Sequence, residues 1–209
     1  MSDGHVLPSE PPGPRLPMNG WHAWVGAYPG VAAITLAALP LAALTVGALA
    51  TRRRATGSTP ARAWRTALAE VGIIYGTLPF VWITMLPGSR AGEVPGRVSL
   101  MPLRDLVTMS TGQVVGNLLI LAALGFLAPV RFTALASLPR ILALAAVGST
   151  LIETAQYVLQ LDRVSSVDDV LLNTAGAGLA ALASRLWWMA RPAPRPRMDR
   201  GAPFTALVR

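Results

Sequence analysis

The sequence predicts an all-α fold, a transmembrane helical bundle of about five spans. Three observations predict it. The 209 residues are 53% hydrophobic and only 13% charged, against about a quarter charged in an ordinary soluble domain. The apolar residues gather into five runs, each near the ~20 residues a helix needs to cross a hydrocarbon core. The 18 basic residues, all arginine, fall mostly between those runs.

The runs are expected at Val25–Ala50, Leu68–Leu86, Gln113–Val130, Ile141–Leu161 and Val170–Met189. The first ends in Ala48-Leu49-Ala50, a small-x-small pattern that suggests a cleavable signal. Its length, the lack of a basic cluster before it and Arg52, Arg53 and Arg54 directly after it favour a retained anchor instead. Pro40 and Pro79 lie inside the first two runs and are candidate kinks.

Arginine counts set an expected orientation. The segment after the first run carries five, the one after the third two, and the C-terminal end six, against five on the other side. By the positive-inside rule the N-terminus is outside, the C-terminus is cytoplasmic, and the 87–112 and 162–169 loops face outward. Trp21, Trp24, Trp187 and Trp188 suit an interfacial belt. Residues 1–20, rich in Pro and Gly, read as a disordered tail, with Met18 an alternative start. Residues 21–99 hold the first two helices and an outer loop, 100–190 a second transmembrane unit, and 191–209 a basic, Pro-rich cytoplasmic tail.

Composition also narrows the chemistry. Cysteine is absent and the two histidines, His5 and His22, precede the first run, so no metal site or cofactor is expected. The arginines alternate with apolar runs instead of forming one stripe, which argues against nucleic acid as a partner. No repeat, heptad, phosphate loop or G-x-S-x-G motif is present.

The polar groups of residues 149–178 stand out between the last two runs. Treated as an antiparallel hairpin centred on Arg163, these runs place Glu153 and Asn173 ten residues either side, at similar depth and facing one another. Glu153, Gln156, Tyr157 and Gln160 share one helix face; Asp169, Asn173 and Gly176 share another. Gln113 and Asn117, at i and i+4, lie near the outer end of the third run, and Glu153 lies about 18 Å up from Ile141. An outward-opening polar pocket follows. A carboxylate in lipid is costly, so Glu153 should face the bundle interior, be protonated or pair with a cation, for which Arg163 is the nearest candidate. Simpler roles compete. Ser166-x-x-Asp169 resembles a capping box, Asp168 and Asp169 suit a helix N-terminus, and Asn117 and Asn173 could be interhelical glue. Arg90, Glu93, Arg97, Arg104 and Asp105 read as a solvated loop.

The pattern Asn117 to Phe126 (NLLILAALGF), then Ile152-Glu153-Thr154-Ala155-Gln156, then Arg163-Val-Ser-Ser-Val-Asp168-Asp169-Val-Leu-Leu-Asn173-Thr-Ala-Gly176, resembles the VanZ-like family of bacterial integral membrane proteins. The resemblance covers about residues 100–190. It implies a helical membrane protein of the cell envelope, in a family named for a member associated with low-level teicoplanin resistance. It also implies polar positions at Asn117, Glu153, Gln156, Arg163, Asp168, Asp169 and Asn173, with Gly125 and Gly176 as packing positions. The sequence departs from the family where members often have Pro before the glycine of the third span, here Ala122-Ala123, and a further acid, here Ser166.

Two functions from different classes are expected to compete. In the first, the pocket binds a lipid-linked cell-wall precursor or a lipid headgroup and alters glycopeptide susceptibility, with Arg163 meeting phosphate or carboxylate. In the second, an intramembrane enzyme uses Glu153 as general acid or base, although no activated nucleophile is visible. A transporter, or a scaffold whose polar groups only fix helix register, are the further alternatives.

Overall fold

The computed structural model describes residues 28–189. The tails expected at 1–20 and 191–209, with Met18, Trp21 and Trp24, lie outside them. Helix α1 spans Pro29–Ala55 and α2 Pro60–Thr84. Each has proline in its first turn, where a missing N–H costs nothing. Arg52, Arg53 and Arg54 occupy the last turn of α1, where the helix dipole favours cations. Gly57, at φ 91°, makes the turn between the helices in a left-handed conformation that glycine adopts without strain. Pro40 and Pro79 lie within α1 and α2, and both helices continue through them.

The third run is two helices, α3 (Thr111–Ile120) and α4 (Ala122–Arg131), separated by the single residue Leu121. Ser110 and Gln113 close the N-terminus of α3 with a reciprocal capping box. A 3-10 turn at Thr133–Leu135 leads into α5, Leu138–Val158. Strand β1 (Arg97–Ser99) pairs in parallel with β2 (Val164–Ser166), from Arg97 opposite Val164 to Ser99 opposite Ser166. Helix α6 (Val167–Ala183) follows directly, and Ser184 joins it to the short α7, Arg185–Met189.

Among the described residues, four helices are long and apolar enough to cross a membrane: Pro29–Ala55, Pro60–Thr84, Thr111–Arg131 and Leu138–Val158. The fifth expected run is divided at Ser184, and its main part, α6, has 17 residues. Helix α6 is the axis of the bundle, packed against α3, α4 and α5. A core of Ile120, Leu121, Ala128, Ile141, Ala145, Ala177 and Ala181 surrounds it. By contrast α1 turns Leu36, Leu41 and Leu44 outward, each about two-thirds exposed or more. An apolar surface of that size is stable against hydrocarbon and not against water.

Small residues allow α6 its central place. A Cβ on Gly176 would stand 1.9 Å from the Leu118 carbonyl oxygen of α3, and one on Gly125 of α4 would stand 2.1 Å from the Ala177 oxygen of α6. The two contacts put backbone directly on backbone, an approach that only glycine permits.

Candidate functional site

The N-terminus of α6 organises one end of the bundle. Ser166 is its N-cap, and the Ser166 hydroxyl accepts from the Asp168 N–H at 3.2 Å. In a capping box the acid three residues on would take the cap residue's own N–H. Glu153 of α5 does so instead, accepting from the Ser166 N–H at 3.1 Å, while Ser165 donates its hydroxyl to the Glu153 carbonyl at 2.8 Å. The buried Glu153 is therefore tied to the start of α6. Asp169 is left to accept a hydrogen bond from the Asn117 side-chain amide of α3.

Asn173 does not face Glu153. It lies one to two turns deeper and donates to the Ser149 hydroxyl at 2.7 Å. Counting outward from Arg163 fails because residues 159–166 are not a symmetric turn. Gln160 and Asp162 adopt left-handed backbone at φ 50° and 55°, and the chain then extends as β2 before α6 begins.

Arg163 is not ion-paired with Glu153. Its guanidinium donates to the carbonyl oxygens of Leu86 and Ile83 at 3.3–3.4 Å, and Gln156 donates to the Thr84 carbonyl at 3.2 Å. Ile83 and Thr84 end α2 and Leu86 follows it, so these acceptors lie where helical carbonyls run out of partners. A cation there also meets the negative end of the helix dipole.

Asp168, 2% exposed, turns away from solvent and accepts three backbone N–H groups, from Leu103 at 2.5 Å, Asp105 at 2.9 Å and Leu106 at 3.0 Å. The 87–110 segment is thus no freely solvated loop. Leu103 is held at φ 64°, a conformation that costs an L-residue about 1–2 kcal/mol, and Asp168 opposes that cost. Gly88 and Gly92 donate to the carbonyls of Leu161 and Gln160, and Arg90 and Arg97 lie 3.7 and 3.9 Å from the Asp162 carboxylate. Asp105 accepts from the Ser166 hydroxyl at 2.7 Å. Hydroxyl hydrogen bonds, from Ser99 first and then Ser166, hold its carboxyl below the usual carboxylate range.

A cavity of about 560 Å³ opens above this network. Glu153, Asp169, Asp105 and Asp162 line it, together with Asn117, Gln156 and Arg163. The walls come from the end of α2, the start of α3, the end of α5 and the two loops. Of the seven polar positions expected from the sequence, five reach the cavity. Asp168 and Asn173 do not, being committed to the 103–106 backbone and to Ser149. Asp105 and Asp162 join it from loops in which no periodicity marks a buried face.

A family model described as VanZ/LLP1 matches residues 39–188. The match reaches well upstream of residue 100, taking in most of α1 and all of α2. No curated protein and no solved structure matches the chain.

Proposed function

The chain belongs to the VanZ/LLP1 family, and from that premise we propose that this membrane protein serves the cell envelope by binding the headgroup of a cell-wall precursor or lipid in the cavity beneath β1 and β2. In this reading the N-terminus and the cavity are outside, α6 is a fifth crossing, and the C-terminus is cytoplasmic. One observation carries the choice of ligand. Arg163 and Gln156 already serve carbonyls at and just past the end of α2, Gln113 caps α3 and Arg97 lies 3.9 Å from Asp162, whereas Glu153 and Asp169, from two different helices, both face the open space. Acceptors that remain available select a headgroup rich in amino or hydroxyl donors, such as an amino sugar or the free amine of a peptide stem. The volume falls within the range of small-ligand sites, about 300–1,000 Å³. Occupation of such a site on a precursor would alter access of glycopeptides, teicoplanin among them, to their target.

Native mass spectrometry of the detergent-extracted full-length protein tests the reading. An envelope lipid bearing amino or hydroxyl donors should co-purify and be lost in Glu153→Gln with Asp169→Asn. Unchanged retention in that folded double variant, with unchanged teicoplanin susceptibility of cells expressing it, would refute the proposal.

A second reading draws on the same pair of carboxylates, since two acids facing one cavity are what general acid–base chemistry on a headgroup needs. Turnover of labelled envelope lipids by the purified protein, abolished by Glu153→Gln, would favour it over simple binding.

A further inference from the structure

At the opposite end of the bundle from the acidic cavity lies a second cleft, of about 840 Å³, between the α1–α2 turn and the end of α4. Arg53, Arg62, Arg65 and Arg131 line it, with hydroxyls from Ser58 and Thr59 and no carboxylate. Four cations converging on one space should repel one another, so the arrangement needs either a counter-charge or an anionic guest.

Part of the counter-charge is internal. Glu70 of α2 reaches between Arg53 and Arg131, accepting from Arg131 Nε at 2.5 Å and from Arg53 Nη2. One carboxylate thereby fixes two guanidinium groups from different helices. It does not satisfy them: Arg53 Nη1 is buried and has no hydrogen-bond partner among the described residues. A buried, unpaired guanidinium N–H is expensive to leave unmade. Arg62 and Arg65 form no ion pair among the described residues. The N-terminus of α2 also ends in this cleft, and Thr59, its N-cap, makes no side-chain cap bond. Free first-turn N–H groups and the positive end of the helix dipole therefore face the same space as the arginines.

We propose that this cleft binds the phosphate of an anionic phospholipid headgroup, held by Arg53, Arg62, Arg65 and the N-terminus of α2. A tetrahedral oxyanion matches what is offered. Guanidinium forks bind phosphate by paired, charge-assisted hydrogen bonds, and a helix N-terminus adds backbone donors. The lipid source follows from position. The cleft lies where two membrane-length helices end and a third begins, at the level where headgroup phosphates sit and where basic groups between helices meet them. Glu70 is the positioning residue that holds Arg53 and Arg131 together at the cleft when it is empty. The site is separate from the acidic cavity, so neither depends on the other.

The test uses the full-length chain in phosphatidylcholine nanodiscs doped with phosphatidylglycerol, with lipids retained on release identified by native mass spectrometry. Phosphatidylglycerol should be retained about tenfold over its share of the bilayer, and Arg62→Gln with Arg65→Gln should remove most of that enrichment, as expected on losing charge-assisted contacts. Both residues are exposed, so the double variant should keep the parent's melting temperature. Arg140→Gln with Arg185→Gln removes the same charge elsewhere and should leave the enrichment intact. Retention of phosphatidylglycerol no better than phosphatidylcholine, or equal loss in the control variant, overturns the proposal. Millimolar inorganic phosphate separates the sources: displacement of the lipid assigns the cleft to a soluble phosphate compound and overturns the lipid assignment, and failure to displace supports it.

Discussion

The Glu153 carboxylate of α5 accepts the backbone N–H of Ser166, the residue that caps α6. A side chain thirteen residues upstream thus does work that the third residue of the helix usually does. Removing it should separate stability from binding. Glu153→Ala leaves a buried N–H without a partner and should lower stability by about 1–3 kcal/mol. Glu153→Gln, which can still accept, should keep most of the stability while losing the co-purifying headgroup. Thermal unfolding in detergent alongside lipid retention reads both effects. Equal destabilisation by the two substitutions would mean that the carboxylate's charge, and not its acceptor, holds the loop.

Asp168 should behave as a stability residue without a direct part in binding. Its substitution by Ala strands three N–H groups at once, at a cost of about 3 kcal/mol or more if each is worth what a charge-assisted bond normally contributes. Hydrogen exchange should rise first at Leu103, Asp105 and Leu106. Protection unchanged there would show that the segment is held by its strand pairing alone.

Gly176→Ala should be among the most damaging methyl additions in the chain, because the added carbon meets a backbone oxygen of α3 that cannot rotate away. Overpacking of this kind costs about 1–3 kcal/mol or more. Gly47→Ala in α1, with nothing within 4 Å of the added carbon, should be neutral or slightly stabilising through helix propensity. Melting temperatures of the two variants, measured side by side, check the contrast.

Acid should loosen the loop through Asp105. Its carboxyl is held below its ordinary value by the Ser99 and Ser166 hydroxyls. The stabilisation is therefore fully present above the unfolded Asp value of about 3.9 and is lost as pH falls through the lower folded value. Protease nicking between residues 100 and 110 should increase over that window, and Asp105→Asn should remove the dependence.

The sequence made legible whatever depends on local spacing. Ser166 caps the helix that its S-x-x-D pattern announces, whereas the hydrogen bond from Asn117 to Asp169, 52 residues apart, was not readable from spacing. Depth across the hairpin was not legible, because two left-handed residues and a strand shift the register that simple counting assumes. The partners of Asp168 and Arg163 were hidden for a different reason. They are main-chain groups 60 to 80 residues away, and a backbone N–H or carbonyl leaves no mark on residue type. The cleft around Glu70 was legible only as arginine counts, since Glu70 stands in the second run but nothing in its spacing to Arg53 and Arg131, 17 and 61 residues away, marks them as its partners.

The pairing of Arg97 with Val164 imposes a parity on the chain. Hydrogen-bonded strands share one side of the bilayer, so the path from residue 99 to residue 164 must make an even number of traverses. If Thr111–Arg131 crosses the membrane, then Leu138–Val158 must return to the same side, whichever compartment the trip starts from. Single cysteines introduced at Val98 and Val164 of this cysteine-free protein should react with an impermeant thiol reagent from the same face.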